Sequence, residues 1–130
     1  MTVVLDASAL LALLFDESGA DEVLSTLVER PLMSTVNFAE VLTKLSDQGV
    51  AVDAAMEELR SSGVLNSVVL VPFDREQAEA AAAIRIESRA LGLSVGDRAC
   101  LALAMRRKAE ALTADRAWLA VRAVKVRSIR

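Results

Sequence analysis

Short apolar runs alternate with stretches of helical spacing along this chain. Val3, Val4 and Leu5 form a continuous apolar run, the form of a strand covered on both faces. Residues 7–15 and 19–28 read as helices, the second with Asp21 and Glu22 in its first turn and Arg30-Pro31 closing it. Residues 32–36 are the next strand candidate. Phe38, Val41, Leu42 and Leu45 then follow the i, i+3, i+4, i+7 spacing of a helix closed by Gly49, and Val52, Ala55, Met56 and Leu59 repeat it up to Gly63. Residues 68–71 predict a third strand. Asp74-Arg75-Glu76-Gln77 has the form of a capping box and opens a long helix ending at Gly92. Ser94-Val95-Gly96-Asp97 opens another, apolar on most sides through Met105 and therefore buried. Residues 111–113 form a weak strand and 116–121 a short helix, and Val124-Lys125-Val126-Arg127 alternates as an edge strand with one wet face does.

Strands separated by helices imply right-handed βαβ units. The expected fold is α/β: a three-layer sandwich with a central, mostly parallel five-stranded sheet and helices on both faces. No internal repeat, low-complexity segment or linker is visible. Residues 63–67 are the loosest stretch and are too short to divide the chain, so residues 1–130 read as one domain.

Composition narrows the chemistry. Apolar residues make up 54% of the chain, which excludes a disordered polar segment. The single cysteine allows no intrachain disulfide, and there is no histidine. The commonest general base and the commonest transition-metal ligand are therefore both missing. Any bound metal must be held by oxygen, which points to magnesium or manganese. Residues 1–6 lack the basic region of a signal peptide, and the apolar run 7–15 is too short to span a membrane, so a cytoplasmic protein is expected. Charge is uneven: residues 1–65 hold 11 acids against 3 bases, and residues 66–130 hold 7 against 12. The second half can offer a basic face to a polyanion, although the net charge of −3 argues against tight non-specific nucleic-acid binding.

Four acids recur in one topological position. In open parallel sheets ligands bind beyond the carboxyl ends of the strands. Asp6 directly follows the first strand and Asp115 the strand ending at Thr113. Glu40 is expected in the first turn of the helix after the second strand, and Asp97 in the first turn of the helix before the fourth. Each has a plain structural role: Asp6 and Asp115 as N-caps, Asn37-x-x-Glu40 and Ser94-x-x-Asp97 as capping boxes, or Glu40 paired with Lys44 one turn on. Caps are needed on both rims of a sheet, however, and do not explain four acids on one. Four ionised carboxylates together repel unless a cation joins them.

The segments Val3-Val4-Leu5-Asp6-Ala7-Ser8, Ser34-Thr35-Val36-Asn37-Phe38-Ala39-Glu40, Leu93-Ser94-Val95-Gly96-Asp97-Arg98-Ala99 and Leu112-Thr113-Ala114-Asp115-Arg116-Ala117-Trp118 resemble the four signature segments of PIN-domain nucleases. In length and phrasing the chain is similar to the toxin component of VapBC toxin–antitoxin pairs, and the resemblance covers essentially its whole length. It departs at Gly96, where relatives often carry a side chain. The resemblance implies a Mg- or Mn-dependent endoribonuclease acting as the growth-inhibiting toxin of a type II toxin–antitoxin system. It implies Asp6, Glu40, Asp97 and Asp115 as catalytic acids. Asp6 and Asp97 would be the central metal ligands, Asp115 would complete the site, and Glu40 would act through water. Ser8 and Thr113 would support Asp6, and Arg98 and Arg116 are candidate RNA contacts. The implied partners are RNA, a small DNA-binding antitoxin that blocks the acidic site, and a second copy of the chain.

Two signalling chemistries are excluded. A phospho-receiver needs paired acids after the first strand and a late lysine at a strand end, and a phosphatase with an aspartyl nucleophile needs a second acid where Ser8 stands. A non-catalytic RNA-binding or scaffold protein of the same fold is the remaining alternative. Cys100 reads as an inert core residue and Trp118, the only tryptophan, as a packing anchor.

Overall fold

The computed structural model describes residues 2–130. Among these, β1 (Val3–Leu5), β2 (Leu32–Ser34), β3 (Val69–Val71), β4 (Glu110–Thr113) and β5 (Val126–Ser128) form one sheet in the order β3-β2-β1-β4-β5. All pairings are parallel, with Leu5 level with Leu112 and Leu32 level with Val69. The expected α/β sandwich is the one observed, with a sheet parallel throughout. Each connection runs back along the sheet through helical structure, so every strand enters from the same rim. The helices are α1 (Ala7–Leu14), α2 (Ala20–Thr26), α3 (Thr35–Asp47), α4 (Val52–Ser61), the single turn α5 (Val64–Ser67), α6 (Arg75–Ser88) and α7 (Val95–Arg107). Tighter 3-10 turns occupy Leu27–Glu29, Arg89–Leu91 and Arg116–Ala120. No helix of the described residues is long and apolar enough to cross a membrane.

The period of two along each strand divides the core into two layers. Val4, Leu32 and Ala111 face a cluster with Ala81, Ile84, Trp118 and the buried stretch of α7 from Cys100 to Ala104. Val3, Leu5, Met33 and Leu112 face the opposite cluster with Ala9, Leu10, Val23 and Val41. Both faces are covered, which is why β1 is apolar at every position.

Two expectations need correction. The second strand stops at Ser34, not at residue 36. The Ser34 hydroxyl accepts the Val36 N–H at 3.2 Å and starts α3 at Thr35, so an N-cap overrides the β preference of Thr35 and Val36. Residues 63–67 are not loose: Gly63 takes φ +85°, which only glycine adopts cheaply, and leads into α5.

Chain order along the sheet reverses at β1. The chain moves outward from β1 to β2 and β3, then returns to place β4 on the other flank of β1. The crevice beyond the carboxyl ends of β1 and β4 is the switch point, where ligands of parallel sheets bind.

Candidate active site

Asp6 leaves β1 at this switch point. Its N–H donates to the Leu112 carbonyl at 3.1 Å, so the residue is anchored as an extension of the sheet. Its side chain caps α1 by accepting the Ala9 N–H at 2.8 Å. Ser8 Oγ donates to the same carboxylate, at 2.7 Å from Oδ1 and 2.9 Å from Oδ2, and Thr113 Oγ1 donates to Oδ2 at 2.6 Å. The two hydroxyls are locked in turn: Ser8 Oγ accepts the Ala114 N–H at 2.9 Å and Thr113 Oγ1 accepts the Asp115 N–H at 3.0 Å. Side chains thus stitch the ends of β1 and β4 together around one carboxylate. Asp6 is only 5% exposed, and burial pushes its carboxyl up from 3.8 to about 6. The donors Thr113, Ala9 and Ser8 oppose that rise, and the nearby charge of Asp97 adds to it.

Glu40 lies in the second turn of α3, not in its first, because the helix begins at Thr35. Asn37-x-x-Glu40 is therefore no capping box. Asn37 is buried inside the helix and donates from Nδ2 to Glu40 Oε1 at 2.8 Å and to the Gly96 carbonyl at 2.9 Å. Asp97 is the third residue of α7 and completes a reciprocal capping box with Ser94, at 3.0 and 3.1 Å. Asp115 caps the last 3-10 turn by accepting the Ala117 N–H at 3.0 Å.

All four acids line a single cavity of about 370 Å³, together with Ser8, Asn37 and Lys44. Cys100 registers the same grouping. Burial first, then the charges of Asp6, Asp97 and Glu40, push its thiol above its ordinary value. Among the described residues none of the four acids has a lysine or arginine within ion-pairing distance, so the Glu40–Lys44 pair is not formed. No three acidic or cysteine side chains of the described residues are gathered tightly enough to cage an ion as they stand. Each is held to the cavity wall by its own local bonds.

The donor set nonetheless suits a hard divalent cation. It consists of oxygen alone, and each carboxylate keeps accepting capacity. Asp97 Oδ1, Asp115 Oδ2 and Glu40 Oε2 take no hydrogen bond, and Asp6 receives three donors where a carboxylate has about four lone-pair sites. Asn37, on the wall of the same cavity, has its Oδ1 buried without a partner.

Arg98, expected as an RNA contact, is instead buried and donates from Nη1 to the Ala81 carbonyl of α6 at 2.9 Å. Neighbours in a helix point about 100° apart, so following Asp97 in sequence turns Arg98 away from the cavity. Arg116 is exposed, with Nη1 donating to the Arg130 carbonyl at 3.1 Å. Much of the basic second half is already paired. Lys125 and Arg127 meet Glu110, Arg127 also meets Glu22, Arg106 meets Glu76, and Arg130 meets Glu17. Lys44 and Asn37 are the cavity residues that motif reading missed, since one looked like a surface ion-pair partner and the other like a cap.

The family model for the PIN domain matches residues 3–124. Similar solved structures include a toxin–antitoxin complex from Klebsiella pneumoniae (TM-score 0.76, 18% identity, covering 99% of this chain and 98% of that one). Others are the DNA-bound VapBC from Salmonella typhimurium (TM-score 0.74, 13% identity, covering 100% and 99%) and FitAcB from Neisseria gonorrhoeae (TM-score 0.72, 20% identity, covering 98% of each). At these identities the likeness is one of fold. No curated protein matches the sequence.

Proposed function

This chain belongs to the PIN domain family, and from that premise we propose that residues 1–130 form one metal-dependent endoribonuclease domain, the growth-inhibiting toxin of a type II toxin–antitoxin pair. The observation that carries this reading is the cavity at the switch point, where carboxylates from four separate segments meet without a paired cation. Asp6 and Asp97 would hold magnesium or manganese, with Asp115 completing the set. When bound, the metal lowers the pKa of coordinated water and polarises the phosphodiester. Ser8 and Thr113 fix the rotation of the Asp6 carboxylate through their short hydrogen bonds. Glu40, with Oε2 free of hydrogen bonds, orients the attacking water and accepts its proton as the new oxygen–phosphorus bond forms, while the bond to the leaving oxygen breaks and that oxygen takes up a proton from solvent. Lys44 on the cavity wall and the exposed Arg116 would supply positive charge to the phosphate backbone.

The partner reading has support elsewhere on the surface. A groove of about 500 Å³ is lined mostly by apolar side chains, among them Leu13, Leu24, Leu27, Leu45, Val50 and Leu59. It has the shape and chemistry to take the apolar face of a partner helix. The neighbours from Klebsiella and Salmonella are a toxin–antitoxin complex and a DNA-bound VapBC. A small DNA-binding antitoxin that seats a helix here and covers the acidic cavity fits both. A homodimer acting in the cytoplasm belongs to the same proposal.

The test is direct. Purified protein should cleave RNA with added magnesium or manganese and not in chelator, and Asp6→Asn or Asp97→Asn should abolish cleavage. Cleavage that persists in chelator and in both variants would sink the mechanism.

A further inference from the structure

Gly96 is buried at the second position of α7, next to Asp97. Its φ lies outside the positive range that calls for glycine, so the backbone does not require one there. Glycine also weakens a helix relative to alanine. What requires it is space. A Cβ at this position would lie 2.6 Å from both Cδ and Oε1 of Glu40, with Oε2 in contact as well. The Glu40 carboxylate therefore rests against the bare backbone of α7. Asn37 fixes the arrangement. One Nδ2 hydrogen holds Glu40 Oε1 at 2.8 Å and the other holds the Gly96 carbonyl at 2.9 Å. Its side chain is 1% exposed, and having spent both donors it leaves Oδ1 without a partner.

We propose that Gly96 and Asn37 form a seat that fixes the Glu40 carboxylate against the first turn of α7, making Gly96 a positioning residue for the acid cluster. Its functional meaning rests on the nuclease reading above, whereas the seat itself is testable without it. The group that a Cβ would strike is the end of a flexible side chain, so Gly96→Ala displaces the carboxylate and leaves α7 folded. The departure from the family pattern at Gly96 is then matched to this chain's Asn37 and Glu40.

The experiment is a set of variants read in two ways. The first readout is metal-free thermal melting. In a Glu40→Ala background, Gly96→Ala should raise the melting temperature by about 2–4 °C, as helix propensity alone dictates. With Glu40 present the same change should give no gain or a loss. The Asn37 side-chain amide should carry two hydrogen-bonded protons in NMR spectra of the parent protein and a shifted pair in Gly96→Ala. The second readout is RNA cleavage. Gly96→Ala should lower kcat roughly ten- to hundredfold with KM unchanged, and adding Glu40→Asp, one methylene shorter, should restore part of it. Equal melting shifts with and without Glu40 would overturn the seat. A seat that melts as expected while kcat is unaltered would overturn the positioning role. A parent protein that cleaves no RNA would overturn the nuclease reading while the melting cycle still decides the seat.

Discussion

Asp6→Asn should stabilise the metal-free protein while removing its activity, and the gain should depend on pH in a defined direction. Asp6 is 5% exposed and its carboxyl is raised from 3.8 to about 6, chiefly by burial. Between those values the folded chain holds a proton that the unfolded chain has lost, so stability falls as pH rises through that window. At about 1.36 kcal/mol per unit, a rise from 3.8 to about 6 corresponds to roughly 3 kcal/mol of stability present at pH 3 and gone by pH 7.5. Asparagine carries no such charge and still caps α1. Comparing variant with parent at each pH subtracts the contributions that do not involve Asp6. In urea unfolding with chelator, the stability of Asp6→Asn relative to the parent should improve by about 3 kcal/mol from pH 3.5 to pH 7.5. With a slope of about 1–2 kcal/mol per molar, this moves the midpoint by roughly 2 M. Saturating magnesium should close the gap at pH 7.5 by stabilising the parent alone. A pH-independent difference, or a variant that loses ground as pH rises, would refute the claim that the fold bears the cost of a buried carboxylate.

Three further outcomes follow from the same geometry. Magnesium at 100 times its dissociation constant should raise parent stability by about 2.7 kcal/mol, measured by calorimetry, with no response in Asp97→Asn; affinity should weaken as pH drops below about 6, where the Asp6 carboxyl takes up its proton. Arg98→Ala should cost about 1–3 kcal/mol in urea unfolding with KM for RNA unchanged, because Arg98 ties α7 to the Ala81 carbonyl. Arg116→Ala should do the reverse, and a KM effect at Arg98 would contradict its burial. Leu24→Glu and Val50→Glu, on the walls of the apolar groove, should weaken binding of the proposed antitoxin partner, measured by titration.

The sheet was legible because two-sided burial leaves a strong mark. Val3-Val4-Leu5 and residues 68–71 are apolar at successive positions, and helical spacing separates them. The start of α3 was misread because Thr35 and Val36 favour strands, while the deciding contact, Ser34 Oγ to the Val36 N–H, is a local cap of the sort that propensity does not weigh. That boundary moved Glu40 into the wrong turn and gave Asn37 the role of a cap, although Glu40 is its partner in both cases. The acids at one rim were legible as a set because strand order and chain direction place them there. Arg98 was misassigned because adjacency to Asp97 in sequence says nothing of which way a helix turns its next residue. The contact between Glu40 and Gly96 joins α3 to α7 across 56 positions, and its only trace in the sequence is the glycine itself.

Capping and the proposed metal binding, set against each other by sequence alone, are compatible in one arrangement. Asp6, Asp97 and Asp115 each accept a backbone N–H at the start of a helical segment, through one oxygen or one edge of the carboxylate. A helix start offers partial positive charge and fixed donors, which hold a carboxylate ionised without a counter-cation. The same bonds keep the acids apart on the cavity wall, and this limits their repulsion. Asp6, enclosed by β1 and β4, is buried deeply enough for its proton affinity to rise. Asp115 is exposed and Asp97 half-buried, whereas Asp6 is capped and also enclosed between β1 and β4, so the cost of burial falls on Asp6. A divalent cation bound as proposed would relieve that cost by substituting its own charge for the missing water. Metal affinity in the proposed site should therefore follow the protonation of Asp6 as pH falls.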